Sequence, residues 1–292
     1  MFPPIRQLLE LIRFSHTLFA LPFALLAAVM AWRAEPVVAF RVWDLVGILV
    51  CMVFARSAAM AFNRLADRKL DALNPRTEAR HLPRGILSTG SVVLFTVVCS
   101  LGFVAGTLLF LPRNPIPLCA SFPVLAFLLA YSYTKRWTLL AHFWLGAALM
   151  LAPLAAWVAV RAEIFAWPPL LLGSAVMLWA AGFDMIYACQ DEAFDRKMHL
   201  HSVPGRFGVA AALRIAALCH LGMIVLLLCV PLVYEAFGTI YLLGVAAIAL
   251  LLVYEHFLVR PDDLGRVNRA FFQVNAVVSL GLLVIGSIDL LI

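Results

Sequence analysis

Charge is scarce in this sequence. Asp, Glu, Lys and Arg make up 13% of 292 residues, against roughly 25% in a soluble domain. That shortage excludes an ordinary soluble protein. Paired cysteines are lacking too: Cys51, Cys99, Cys119, Cys189, Cys219 and Cys229 lie in or beside apolar runs, and none forms a CxxC pair. Neither a disulfide framework nor a zinc site is indicated. No basic run interleaves with exposed aromatics, so the net charge of +6 does not point to nucleic acid. It matches the Lys and Arg excess of cytoplasmic loops in membrane proteins.

What the chain has in quantity is apolar surface, 64% of its residues. A run of about 20 apolar residues spans a bilayer core. Nine such segments are read, at 14–32, 44–62, 91–111, 116–134, 138–160, 168–190, 209–234, 238–259 and 270–291. All must be helical, because lipid offers backbone groups no other partner short of a closed barrel. The fold class is therefore all-α, a polytopic membrane protein of nine transmembrane helices embedded in the lipid bilayer.

Arg6 and Arg13 precede the first run, which is longer than a signal-peptide core of about 7–15 residues, so it reads as an uncleaved span. Before it, Ile5, Leu8, Leu9 and Ile12 recur at helical spacing opposite Arg6, Gln7, Glu10 and Arg13, the pattern of a helix lying in the interface.

Sorting the basic residues by side gives seventeen on one side and four (Arg33, Arg41, Arg113 and Arg161) on the other. The positive-inside rule then sets the N-terminus in the cytoplasm, and the setting expected is a bacterial inner membrane. Residues 63–90 and 191–208 form the long cytoplasmic loops, each starting acidic and passing through a Pro-Gly-Arg cluster. This weak repeat suggests one domain over 1–292, made of two four-helix halves (14–134 and 138–259) and a ninth helix at 270–291.

The chemistry gathers where spans 2 and 6 end. Asn63, Asp67 and Asp71 are four apart and share one helix face, with Met60 and Arg56 deeper on the same stripe. Asp184, Tyr187, Asp191 and Asp195 lie at i, i+3, i+7 and i+11. Solvated helix ends could carry such acids by chance. Against that, like charges at i and i+4 cost a few tenths of a kcal/mol, and Asp184 and Arg56 lie inside spans, where ionisable groups are expensive and mark functional sites.

Carboxylate and amide oxygens suit hard divalent cations, magnesium above all, which binds one or two carboxylates together with substrate phosphates. Arg68, Lys69, Arg76, Arg80, Lys135, Arg136, Arg196 and Lys197 surround the acids. Oxygen ligands for a metal and cations for phosphate are the two halves of a diphosphate site. Tyr131 and Lys135, four apart, fit either a diphosphate contact with a ring facing an allylic cation or an interfacial aromatic with a snorkelling lysine.

These stretches resemble the UbiA-type intramembrane prenyltransferases. Asn63, Asp67, Arg68, Lys69, Asp71, Arg76, Thr77, Arg80, Leu82, Pro83 and Gly85 fit that family's first motif and the loop behind it. Asp184, Tyr187, Ala188, Asp191, Asp195, Lys197 and Ser202 fit the second, and Tyr131 to Arg136 resembles its Y-x-x-x-K-R segment. The resemblance is strongest to the 4-hydroxybenzoate polyprenyltransferases. Tyr187-Ala188-Cys189-Gln190-Asp191 and Leu200-His201-Ser202 resemble a branch associated with menaquinone made through futalosine. Arg64, His81 and His199 depart from the pattern, where a second acid, proline and glycine are usual.

The resemblance implies a helical bundle around a central cavity, magnesium as cofactor, a polyprenyl diphosphate donor and a small aromatic acceptor, 4-hydroxybenzoate or a dihydroxynaphthoate. It implies that Asp67, Asp71, Asp191 and Asp195 hold the metals with help from Asn63. Arg68, Arg80, Lys135, Arg136 and Lys197 are the candidates for the diphosphate, and Asp191, Tyr131 and Lys135 for catalysis, Asp191 as the base or as a group orienting the acceptor. Arg56 and Asp184 are the acceptor candidates; they are expected to pair in the empty enzyme, and Arg56 could instead meet the diphosphate. A cation-coupled transporter would set its acids near the midplane, and a CDP-alcohol phosphotransferase would hold both acidic groups in one continuous stretch. Here the acids sit at one membrane face, more than a hundred residues apart.

Overall fold

The structure, a computed structural model, describes residues 5–12 and 19–292, without the side chains of Ile5 and Arg269. Arg13 and the start of the first expected span, residues 14–18, lie outside the described residues.

The described chain is helical, as expected. A short α1 (Ile5–Leu11) is followed by α2 (Leu21–Arg33), α3 (Val42–Leu73), α4 (Thr89–Thr107), α5 (Ile116–Thr134), α6 (Ala141–Arg161) and α7 (Trp167–Ala188). Then come two short helices, α8 (Glu192–Lys197) and α9 (Val203–Phe207), and α10 (Val209–Cys229), α11 (Thr239–Leu258), α12 (Val267–Arg269) and α13 (Asn275–Leu291). Among the described residues, eight helical stretches are long and apolar enough to cross a membrane. The first expected span, 14–32, is described only as the 13-residue α2.

Proline sets several starts: α5 and α7 carry it in their first turn, where its missing N–H costs nothing. Span 2 does not stop at its first charge. The helix α3 runs 32 residues, beyond the apolar segment's end at 62, and carries Asp67 and Asp71 on it as their shared face requires.

The helices close into a bundle. From α3 the packing passes through α5, α6, α7, α10, α11 and α13 to α2, which returns onto α6, while α4 lies against α3. In lipid, small residues rather than hydrophobicity bring helices together. A Cβ on Gly146 would stand 2.2 Å from the Met177 carbonyl oxygen, so α6 meets α7 backbone to backbone.

Two polar devices brace the bundle. At one end Arg161 donates to the carbonyls of Ala31, Ala34 and Pro36, and Arg113 pairs with the fully buried Asp44 at 2.9 Å. Inside, Trp179 donates to Asn275 Oδ1 at 2.6 Å and Asn275 Nδ2 to Glu255 at 3.0 Å, tying α7, α13 and α11. The end opposite Arg161 holds the C-termini of α3, α5 and α7 and the N-termini of α4, α6 and α10.

Candidate active site

On α3, Asn63 Nδ2 donates to Asp67 Oδ2 at 3.2 Å, so the i, i+4 stripe is in place. Asp67 is 3% exposed, yet it is not alone. Lys135 and Arg136, directly behind α5, reach it at 3.1 and 3.3 Å, and Arg136 also donates to the Ala66 carbonyl. One turn further, Asp71 accepts from Arg80 at 2.7 Å.

The chain then folds back tightly. Thr77 donates its hydroxyl to the Asp71 carbonyl, and Asn74 Oδ1 accepts the Arg76 N–H. This turn aims Asn74 and Arg76 across the end of the bundle. Asn74 Nδ2 meets Asp191 Oδ1 at 2.9 Å, Arg76 Nε meets the same oxygen at 2.8 Å, and the second guanidinium nitrogen takes Asp191 Oδ2. Arg76 also donates to the Tyr187 hydroxyl and lies 4.9 Å over its ring. Burial works against its charge, but its hydrogen bonds to Asp191 and the charge of that carboxylate outweigh this, so Arg76 holds its proton more tightly than a free guanidinium.

The second motif bends where a continuous helix was expected. After Ala188 the chain makes a 3₁₀ turn over Cys189–Asp191 before α8 carries the buried Asp195. The charge of Lys135 acts on both Asp191 and Asp195 as well as on its partner Asp67, so the two motifs converge on one lysine. His199 follows with φ 53, a left-handed backbone that glycine adopts more readily, which accounts for glycine being usual there. His201 N–H then donates to the Lys135 carbonyl at 2.6 Å, and Ser202 caps α9.

Deeper in the bundle the expected Arg56–Asp184 pair is not formed. Asp184 Oδ2 instead meets His142 Nδ1 at 2.7 Å, and His142 Nε2 accepts the Val203 N–H at 3.3 Å. The reason lies in the packing order: α6, which carries His142, packs along α7, whereas α3 packs on α4 and α5. Arg56 makes no ion pair among the described residues, and its Nε is buried without a partner.

Of the cations expected at the diphosphate, Lys135, Arg136 and Arg80 lie on the carboxylates, while Arg68 and Lys197 are exposed and form no ion pair among the described residues. Asn74 and His142 were not foreseen. Asn74 ends α3 without any spacing signal; an ionisable His142 inside an apolar span was the available clue.

No three His, Cys, Asp or Glu side chains are gathered closely enough to hold a metal by themselves among the described residues. The donors are nonetheless all oxygens, beside several cations. That set fits magnesium, which draws its remaining ligands from phosphate and water.

A model of the UbiA prenyltransferase family matches residues 20–277. The 4-hydroxybenzoate octaprenyltransferase of Vibrio parahaemolyticus is 32% identical over 249 residues, 83% of this chain and 84% of that protein. The enzyme of the same name from Marinobacter nauticus is 33% identical over 237 residues, 80% of this chain and 77% of its own. Among solved structures, an apo UbiA homolog from Aeropyrum pernix superposes with a TM-score of 0.81 at 31% identity, covering 94% of this chain and 97% of that one. A UbiA homolog from Archaeoglobus fulgidus bound to DMAPP and Mg2+ shares the fold, with a TM-score of 0.69 at 18% identity and coverage of 98% and 99%.

Proposed function

Because this chain belongs to the UbiA prenyltransferase family and is a membrane prenyltransferase, we propose that it moves a polyprenyl group from its diphosphate onto a ring carbon of 4-hydroxybenzoate, in ubiquinone biosynthesis. The observation that carries the site is the convergence at one end of the bundle. Carboxylates from α3 and from the end of α7, one from each proposed half, meet Lys135, Arg136, Arg80 and Arg76 there.

In this reading Asp67, Asp71, Asp191 and Asp195, with Asn63, hold magnesium, which when bound neutralises the departing diphosphate. Lys135, Arg136 and Arg80 turn from the carboxylates to the phosphate oxygens and stabilise the charge left on them. Arg68 and Lys197, exposed beside the site, supply longer-range attraction to the diphosphate. Arg76 and Asn74 fix Asp191 and keep the two motifs in register. Tyr131 faces the allylic cation with its ring, a contact of about 0.5–2 kcal/mol. Arg56, with its unpartnered Nε, receives the acceptor's carboxylate beside Asp184. The site opens to the cytoplasm, as the distribution of basic residues argues. A transporter would place its acids near the midplane, whereas Asp67, Asp71, Asp191 and Asp195 all lie at one end.

Mass spectrometry of products tests this. Purified protein in lipid, given a polyprenyl diphosphate, magnesium, 4-hydroxybenzoate and a dihydroxynaphthoate, should prenylate the benzoate. Prenylation of the naphthoate alone would move the acceptor to the second class, as the Tyr187–Asp191 wording suggests; no prenylation of either rejects the reading. Chelation should abolish turnover and added magnesium restore it, and Asp67→Asn should lower turnover on the order of 10²-fold or more in a folded protein.

A further inference from the structure

Joining an isoprenoid to an aromatic ring leaves one proton to remove, and the carboxylates here are not equally free to take it. Asp191 has both oxygens engaged by Arg76 and one also by Asn74. Asp67 is shared by Lys135, Arg136 and Asn63, and Asp71 is paired with Arg80. Asp184 differs. Its one partner among the described residues is His142, and its side chain keeps 19% of its surface open.

His142 is itself held from behind. Because its Nε2 accepts the Val203 N–H, its single ring proton belongs on Nδ1, which points at Asp184 Oδ2 over 2.7 Å. The imidazole is buried and is donated to by one neighbour while donating to the other, so its tautomer and its orientation are both set. A neutral donor orients the carboxylate without placing a cation against it. Asp184 Oδ1 has no hydrogen-bond partner among the described residues.

We infer that Asp184 is the group that receives the ring proton of the aromatic acceptor, with His142 as its positioning residue. This rests on the transferase reading above. As the C1–O bond of the donor breaks, the diphosphate leaves with the electron pair. The ring carbon beside the phenolic oxygen supplies the electrons of the new C–C bond and for a moment bears both the prenyl group and its hydrogen. Asp184 Oδ1 takes that hydrogen as a proton, the ring recovers its aromatic electrons, and the carboxylate becomes a neutral acid that returns the proton to water as product leaves. No oxidant or reductant is required.

Val203 opens α9, and the two residues before it are tied to Lys135 and to the α9 cap. The loop behind the second motif thus backs His142 where it meets Asp184.

The test uses acceptor deuterated at the attacked ring carbon, with the full-length protein in lipid. The parent enzyme should show little isotope effect, since loss of the ring proton restores aromaticity and a well-placed base makes it fast. Asp184→Asn should lose about 10²-fold or more in turnover, keep its KM for donor, and turn over the deuterated acceptor more slowly than the protonated one. His142→Leu should show the same signature in milder form. His142→Gln, whose amide can accept from Val203 and donate to Asp184, should recover most of the turnover and lose the isotope effect. A purely structural role would lower the amount of folded protein without an isotope effect. Turnover by Asp184→Asn within about threefold of the parent overturns the assignment, as does an isotope effect that emerges in Asp191→Asn instead. If Asp184→Asn fails to fold, the contrast between His142→Leu and His142→Gln decides, and equal behaviour of that pair overturns it. A parent enzyme that prenylates no aromatic ring refutes the transferase reading; an active parent whose variants lack these signatures refutes only the proton acceptor.

Discussion

Arg76 and Asp191 stand 115 positions apart in the chain, and one guanidinium closes that gap with two of its nitrogens, Nε at 2.8 Å. The contact joins the turn behind α3 to the turn behind α7 and so brings the two motifs together. Arg76→Lys keeps the charge but loses the planar fork. Its turnover should fall on the order of 10²-fold. Combined with Asp191→Asn, the losses should not add, because the two residues act through one contact. Additive losses in steady-state assays would separate their roles.

Arg56→Lys tests the acceptor side. An ammonium cannot match a carboxylate with two parallel hydrogen bonds, so the KM for the aromatic acid should rise about tenfold, the equivalent of one lost charged hydrogen bond. The KM for the diphosphate should stay put. A rise in the donor's KM instead would assign Arg56 to the diphosphate, and no change in either would make it structural.

Orientation is checked from outside the cell. In a cysteine-free background, Glu35→Cys, Ile164→Cys and Ala236→Cys, all at exposed positions, should react with an impermeant thiol reagent, while Glu78→Cys and Asp262→Cys should not. Labelling of Glu78→Cys from outside would reverse the site's side.

Gly146→Ala measures how closely α6 meets α7. With the Met177 carbonyl 2.2 Å from the added methyl, backbone has to move, and stability in detergent should drop by about 1–3 kcal/mol. Gly281→Ala, with nothing within 4 Å, should be neutral or gain about 0.5–1 kcal/mol from the helix. Equal melting of the two variants would refute the close approach.

Much of this was legible in the sequence, for reasons particular residues make plain. The span at 116–134 matches α5 because prolines mark its start and a Lys-Arg pair its end. The Asn63, Asp67 and Asp71 stripe was readable because spacing along one helix is local information. That stripe already required the helix to continue past the apolar segment's end at 62, as α3 does to Leu73. The partner of Asp184 was out of reach. It sits 42 positions away, and only the order in which helices pack brings it near. The 3₁₀ turn that bends the second motif likewise answers to tertiary fit and not to any breaker residue.

On the site proposed above, the internal ion pairs carry a thermodynamic consequence. The acids that would bind magnesium already have counter-ions, and the cations that would bind phosphate already have anions. Loading the site is then a double exchange: metal displaces ammonium and guanidinium from carboxylate, and phosphate takes up the cations set free. Magnesium alone strands those cations, and diphosphate alone strands the acids. Each should therefore tighten the binding of the other, and the protein should take up magnesium and diphosphate together far better than either alone.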